Sequence, residues 1–222
     1  MDEAAGAGGA GATHLTVGLG RAGAAWAAAV LAGACAVLWG MHATSKVIEE
    51  MDEYANKFDG TSLLQAAAGG HAGVVEYLWK KGADIHTMDL SNATALIRAA
   101  RCGYAAVVRL LLGDDRVDPN MPNQNGLTAL INAAGKGHAP VVTLLLADER
   151  VDPEITIWDE STALIVAARE GHAPVVTLLL ADGRVDPDLT NQYGRTAITC
   201  ASLNRHDSVV KLLLADDAVW IN

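Results

Sequence analysis

The sequence predicts an all-α solenoid of helix-turn-helix-finger units, preceded by an N-terminal hydrophobic helix. Three observations carry this expectation. The triplet Thr94-Ala95-Leu96 returns as Thr128-Ala129-Leu130, Thr162-Ala163-Leu164 and Thr196-Ala197-Ile198, each step 34 residues, and Thr61-Ser62-Leu63 lies 33 residues before the first. Counted from each Thr, the tenth position is His71, Tyr104, His138, His172 and His206, followed in every copy by Val-Val (Val74-Val75 to Val209-Val210) and then Leu78, Leu111, Leu145, Leu179 and Leu213. With one Phe, four Tyr and five Trp in 222 residues, packing must rest on aliphatic and small side chains. Self-similarity at such a period marks stacked units, none of which can bury its apolar face alone.

In chain order, residues 1–14 are Gly/Ala-rich and read as a disordered tail. Residues 22–41 carry no charge, with Trp26 and Trp39 towards the two ends. Twenty such residues of helix match a hydrocarbon core of about 30 Å. Small residues four apart (Ala25, Ala29, Gly33) permit close packing in lipid, although Ala and Gly dominate the run. Three readings stand: a single membrane-spanning anchor, which length favours; a soluble helix capping the first repeat; and a cleaved signal, for which the acidic start Asp2-Glu3 is the wrong sign. Over 45–58, Val47, Met51, Tyr54 and Phe58 form a helical stripe in a charged stretch, as expected of an amphipathic cap on the stack.

The repeats divide as 59–93, 94–127, 128–161, 162–195 and 196–222, the last serving as C-terminal cap. In the third, Leu130, Ile131, Ala133 and Ala134 give a first short helix, and Val141, Val142, Leu144, Leu145 and Leu146 a second. Gly135, Gly137 and His138 separate them. Pro140, like Pro174 one copy on, stands at the start of the second helix, where its missing N–H is harmless. From Val151-Asp152-Pro153 to Ser161 there is no helical stripe, and turn residues predict a projecting finger.

These residues resemble the ankyrin-repeat family, whose consensus runs D-x-x-G-x-T-P-L-H-x-A-A-x-x-G-H-x-x-V-V-x-L-L-L-x-x-G-A-D-V-N. The first copy matches in Asp59-Gly60-Thr61, Gly70-His71, Val74-Val75 and Gly82-Ala83-Asp84-Ile85, and the resemblance covers roughly 59–222. The consensus Pro after Thr is replaced by Ser or Ala, a loss expected to weaken the fixed start of the first helix. From Ile85 to Thr94 the finger spans nine residues, as in the consensus, whereas Val117–Thr128, Val151–Thr162 and Val185–Thr196 span eleven and begin Val-Asp-Pro. The resemblance implies a concave binding surface made by the fingers and the first helices. Three longer fingers would deepen it.

Candidate partner contacts follow from that implication. The fingers vary most between copies, and they offer Met121, Gln124 and Asn125, then Trp158 and Asp159, then Gln192 and Tyr193. Trp158 and Tyr193 are the rigid amphipathic type that dominates interface energy, unless they merely pack finger to finger. On the first helices, the fourth position after each Thr is Gln65, Arg98, Asn132, Val166 or Cys200, and the seventh includes Arg101 and Arg169. Arg98, Arg101 and Arg169 would suit an acidic ligand on the concave side, against the plainer reading of a solvated charged face.

Other chemistries fit poorly. A net charge of −10 repels phosphate backbones, so nucleic acid is not an expected partner. Cys35, Cys102 and Cys200 are odd in number and widely spaced, which suits a reducing compartment and gives neither a disulfide framework nor a zinc spacing. The repeated histidines would stand roughly 8–10 Å apart on stacked helices, too far to share a metal, and are expected to hydrogen-bond at the inter-helix turn. Gly18-Leu19-Gly20-Arg21-Ala22-Gly23 has the dinucleotide G-x-G-x-x-G spacing without the flanking strands it requires. Asn92-Ala93-Thr94 is a formal glycosylation sequon whose Thr belongs to the repeat. The expectation is therefore a non-enzymatic, cofactor-free scaffold or adaptor that binds a protein partner. Its repeats are expected in the cytoplasm, with the 22–41 run as candidate membrane tether. The alternatives are a soluble spacer or regulatory subunit, and more remotely a nucleotide-binding enzyme.

Overall fold

The computed structural model describes residues 61–217. The expected tail, hydrophobic helix and cap helix, and the final residues of the fifth copy, lie outside them. Among the described residues the chain is all helix and loop. First helices are α1 (Thr61–Ala68), α3 (Ala95–Cys102), α5 (Ala129–Gly135), α7 (Ala163–Glu170) and α9 (Ala197–Leu203). Second helices are α2 (Ala72–Lys80), α4 (Ala105–Leu112), α6 (Ala139–Leu146), α8 (Ala173–Leu180) and α10 (Asp207–Asp217). Each first helix packs on the first helix of the next copy, each second helix on the next second helix, and the two of one copy on each other.

Helices of 7 to 11 residues are marginal alone, so capping and stacking must hold them. Thr94, Thr128 and Thr162 take near-identical extended backbone, with ψ of 169°, 174° and 171°, and their hydroxyls accept the amides of Ile97, Ile131 and Ile165 at 3.3 Å. This corrects the expectation that losing the consensus Pro loosens the start of the helix: the Thr cap fixes it without a ring. The second helices α2, α4, α6 and α8 begin without a side-chain cap, and in α6 and α8 proline fills the first turn.

The core follows the repeat. Ala99, Ala100, Ala133, Ala134, Ala167 and Ala168 are fully buried, and these small side chains let the first-helix row close up. Val107, Val108, Val141, Val142, Val175 and Val176 seal the second row, with Leu111, Leu145 and Leu179 between the rows.

Two further sets of contacts tie later copies to the one before. His138, His172 and His206 point Nε2 at the carbonyls of Arg101, Gly135 and Arg169 at 3.1, 3.2 and 3.0 Å. A carbonyl only accepts, so Nε2 carries the proton there. The expected turn hydrogen bond thus spans two repeats.

The second set lies in the thrice-repeated stretch Asp-x-Arg-Val-Asp-Pro (114–119, 148–153, 182–187). Arg150 reaches back to the carbonyls of Leu112 (2.8 Å), Val117 (3.2 Å) and Asp114 (3.4 Å), and Arg184 to those of Leu146 and Val151, both at 2.8 Å. These are the orphan carbonyls of a helix end and the root of the next finger. Asp148 and Asp182 hold the two guanidiniums from below.

The Arg150 side chain, donating to Asp148, keeps that carboxyl below its ordinary range, and Arg184 does the same to Asp182. Depressed folded-state values mean that this contribution is complete above the unfolded carboxylate range and is lost as pH falls through and below it. Urea midpoints followed from about pH 6 to about pH 3 should therefore fall. Arg184→Met should flatten part of that slope, and an unchanged slope would show that the pair contributes nothing.

Candidate interaction surface

Each finger ends in a tight turn whose ends are bonded: Asp89 to Ala93, Asn123 to Leu127, Ile157 to Ser161 and Asn191 to Arg195, amide to carbonyl at 3.0–3.2 Å. The fourth residue of each turn (Asn92, Gly126, Glu160, Gly194) has positive φ, of 56°, 76°, 62° and 67°. In three fingers the first residue also braces the turn with its side chain. Asp89 accepts the amides of Ser91 and Ala93, Asn123 those of Asn125 and Leu127, and Asn191 those of Tyr193 and Arg195.

The finger at 151–162 departs from this plan at three positions. Ile157 stands where Asp or Asn braces the others, so only Asp159, accepting the Ser161 amide, remains. Glu160, with a Cβ, occupies the left-handed position taken elsewhere by Asn or Gly. The Ser161 hydroxyl is fully buried and has no hydrogen-bond partner among the described residues. Each departure costs local stability. On this finger stands Trp158, 75% exposed, whose ring edge and the neighbouring Ile157 backbone lie against Gly126 of the preceding finger. A Cβ at Gly126 would come within 3.1 Å of the indole.

Two of the three joins between finger tips carry a backbone hydrogen bond. The Gln124 amide donates to the Ser91 carbonyl and the Gln192 amide to the Asp159 carbonyl, both at 2.9 Å. At the middle join the Trp158 ring against Gly126 makes the contact, so that Asn125, Trp158, Asp159, Gln192 and Tyr193 stand in one row of tips. Tyr193 is exposed and carries the Arg195 guanidinium 5.6 Å from its ring centre. Gln124, Asn125 and Gln192 are exposed, while Met121 is half-buried nearer the root of its finger.

The arginines separate. Arg98 is ion-paired with Asp89 of the finger before its helix, with about a third of its side chain exposed. Burial would raise the Asp89 carboxyl, but hydrogen bonds from the Ser91 hydroxyl, the Ala93 amide and Arg98 together hold it far below its ordinary range. Arg169 lies 3.4 Å from both Asp159 and Glu170, with a third of its side chain exposed, and so borders the Trp158 finger. Arg101 is exposed at the C-terminal end of α3, away from the finger that precedes that helix. The fourth position after Thr is no general contact position either: Asn132, Val166 and Cys200 are buried, Asn132 bonding back to the Thr128 carbonyl. Burial raises the Cys200 thiol.

Sequence reading placed Glu160 among the variable finger residues but missed the buried Ser161 hydroxyl and the arginine staples. Aligning the copies does show that Ile157 and Glu160 fall where Asp/Asn and Asn/Gly stand in the other fingers. Among the described residues no group of three His, Cys, Asp or Glu could hold a metal ion, and no helix is long and apolar enough to cross a membrane. Residues 18–23 and 22–41 lie outside the described residues.

Stacked two-helix units with Thr caps, Gly-His turns and hairpin fingers define a helical-repeat protein. A family model described as ankyrin repeats matches residues 27–123, 115–191 and 149–221, and the chain belongs to the ankyrin-repeat family. No curated protein matches it.

Proposed function

We propose that the chain is a non-catalytic protein-interaction module whose partner docks along the tips of the three long fingers, with Trp158 as its principal anchor. Trp158 carries the reading: a large ring left exposed on the one finger that combines a lost brace, a glutamate at the left-handed position and a buried hydroxyl without a partner among the described residues. Departures from local rules at a single place are characteristic of functional sites. Tyr193, Gln124, Asn125 and Gln192 flank the ring, and Arg169 and Asp159 set the charge at its base. Ankyrin repeats are generally interaction scaffolds, which agrees with this assignment.

The test is partner capture by the full chain, followed by titration of the captured protein against wild type and Trp158→Ala. A loss of about 2 kcal/mol, roughly thirtyfold in Kd, is expected, with thermal unfolding unchanged. Equal affinity would remove Trp158 from the site. If Trp158→Ala and Tyr193→Ala are both silent, the spacer reading takes over.

Tethering of cytoplasmic repeats to a membrane is a separate part of the proposal and rests on the charge-free run 22–41 alone. The family match reaches into that run at residue 27, which favours the soluble-cap alternative. Carbonate extraction of the full chain and of residues 42–222 decides: retention of the full chain alone means an anchor, and release of both means a cap.

A further inference from the structure

The roots of the fingers form a second surface, on different residues from the tips. The short first finger meets the first long one with a mismatch of two residues, and the join leaves a pocket of about 50 Å³. Its walls are Ile85, Leu96, Leu111 and Val117 below, with Met88 and Met121 at the mouth and His86 and Asp118 on the rim. Later joins are bridged by side chains. Asn120 donates to the Arg150 carbonyl and accepts the Asp152 amide, and Glu154 accepts the Asp186 amide. At the first join Arg116 bonds only its own Asp114 among the described residues. Met88 is consequently 41% exposed, an apolar side chain left at an open mouth.

From that mouth a line of carboxylates runs along the stack. Asp118, Asp152 and Asp186 are the same residue of successive Val-Asp-Pro loops, and the bonds just described hold those loops side by side. All three are exposed and none is ion-paired among the described residues, and exposed Glu154 and Asp188 lie beside them. Stacked helices repeat at roughly 8–10 Å. An extended polyproline-type segment brings every third side chain to one face at a pitch of about 9.3 Å. Apolar pocket and acidic line together select one chemistry.

We propose that the finger roots bind an extended basic segment of a partner protein. One aliphatic side chain fills the pocket between Met88 and Met121, and Lys or Arg at every third following residue meets Asp118, Asp152 and Asp186. The surface is independent of the Trp158 tips, so either assignment can fail alone.

The probe is a labelled peptide, Leu-Pro-Pro-Arg-Pro-Pro-Arg-Pro-Pro-Arg, titrated into the full chain at low salt. Asp118→Asn, Asp152→Asn and Asp186→Asn remove charge but keep an oxygen for the loop amides that each carboxylate now accepts. The triple variant should bind about tenfold more weakly, since each exposed pair contributes little alone. Met121→Glu, or Gly in place of the peptide's Leu, should weaken binding severalfold. Trp158→Ala should leave it unchanged. The proposal falls if the triple variant binds as wild type. It also falls if a peptide with its three Arg residues adjacent binds equally well, because bulk attraction to an acidic protein would then suffice. Binding lost in Trp158→Ala but not in the triple variant would place the peptide at the tips instead. A dimeric chain made monomeric by Met121→Glu would assign the pocket to a second copy.

Discussion

Replacing Arg150 with methionine should lower the unfolding free energy by about 3 kcal/mol. Methionine keeps much of the apolar stem but removes the donors that serve Leu112, Val117 and Asp114 and the ion pair to Asp148. Carbonyls at the end of α4 and the root of the next finger would be left without partners, and Asp148 without its cation. The same substitution along the motif gives a graded series. Arg184 bonds two carbonyls of the preceding copy and is 38% exposed, so Arg184→Met should cost less, about 2 kcal/mol. Arg116 is 64% exposed and bonds only its own Asp114, so Arg116→Met should cost least, for leaving the buried Asp114 carboxylate without its cation. Urea unfolding of the three variants measures the order. Equal losses at all three would show that the reach into the preceding copy is energetically empty. A falling m-value in Arg150→Met would add that the repeats have begun to unfold separately.

That series also shows where sequence reading stops. The period, the two helices per copy and the longer fingers were legible because each depends on local pattern: Thr before an apolar run, Val-Val and Leu at helical spacing, Gly before His. The resemblance then supplied the family. The partners of individual polar side chains were not legible, because stacking brings together residues that are remote in the chain. Arg150 meets the Leu112 carbonyl 38 residues back, and nothing in Asp-Glu-Arg-Val-Asp-Pro says so. Arg98, paired with Asp89, agrees with the plainer reading of a charged face with local salt bridges, but its particular partner was not legible. Asn132, Val166 and Cys200 share its position but are buried, so one offset from Thr has different surroundings in different copies. The candidate surface was half legible. Trp158, Tyr193, Gln124 and Gln192 stood out as variable finger residues, whereas Ser161 looks like any loop serine until its hydroxyl is found buried without a partner.

Gly137→Ala should cost about 3 kcal/mol, and most of that cost should depend on His172. Gly137 sits at φ +74°, where a Cβ alone costs about 1 kcal/mol. The same Cβ would stand 2.7 Å from Nδ1 and 2.9 Å from Cε1 of His172 in the next copy. The ring would have to move, and with it would go the bond from Nε2 to the Gly135 carbonyl that joins the two copies at 3.2 Å. His172→Ala alone loses that bond, about 1 kcal/mol. In the His172→Ala background the collision is gone, so Gly137→Ala should then cost only its backbone share. The double variant should accordingly be more stable than the sum of the single losses by about 1–2 kcal/mol. Thermal unfolding reads this as a fall of about 10 °C for Gly137→Ala that shrinks severalfold when His172 is absent. Gly183→Ala is the internal control, since its Cβ would meet nothing within 4 Å and its φ lies outside the positive region. It should be neutral or slightly stabilising. Strict additivity of the Gly137 and His172 changes would mean that the ring does not enforce the glycine. The coupling of neighbouring repeats would then rest on the arginine staples and the buried alanine and valine rows.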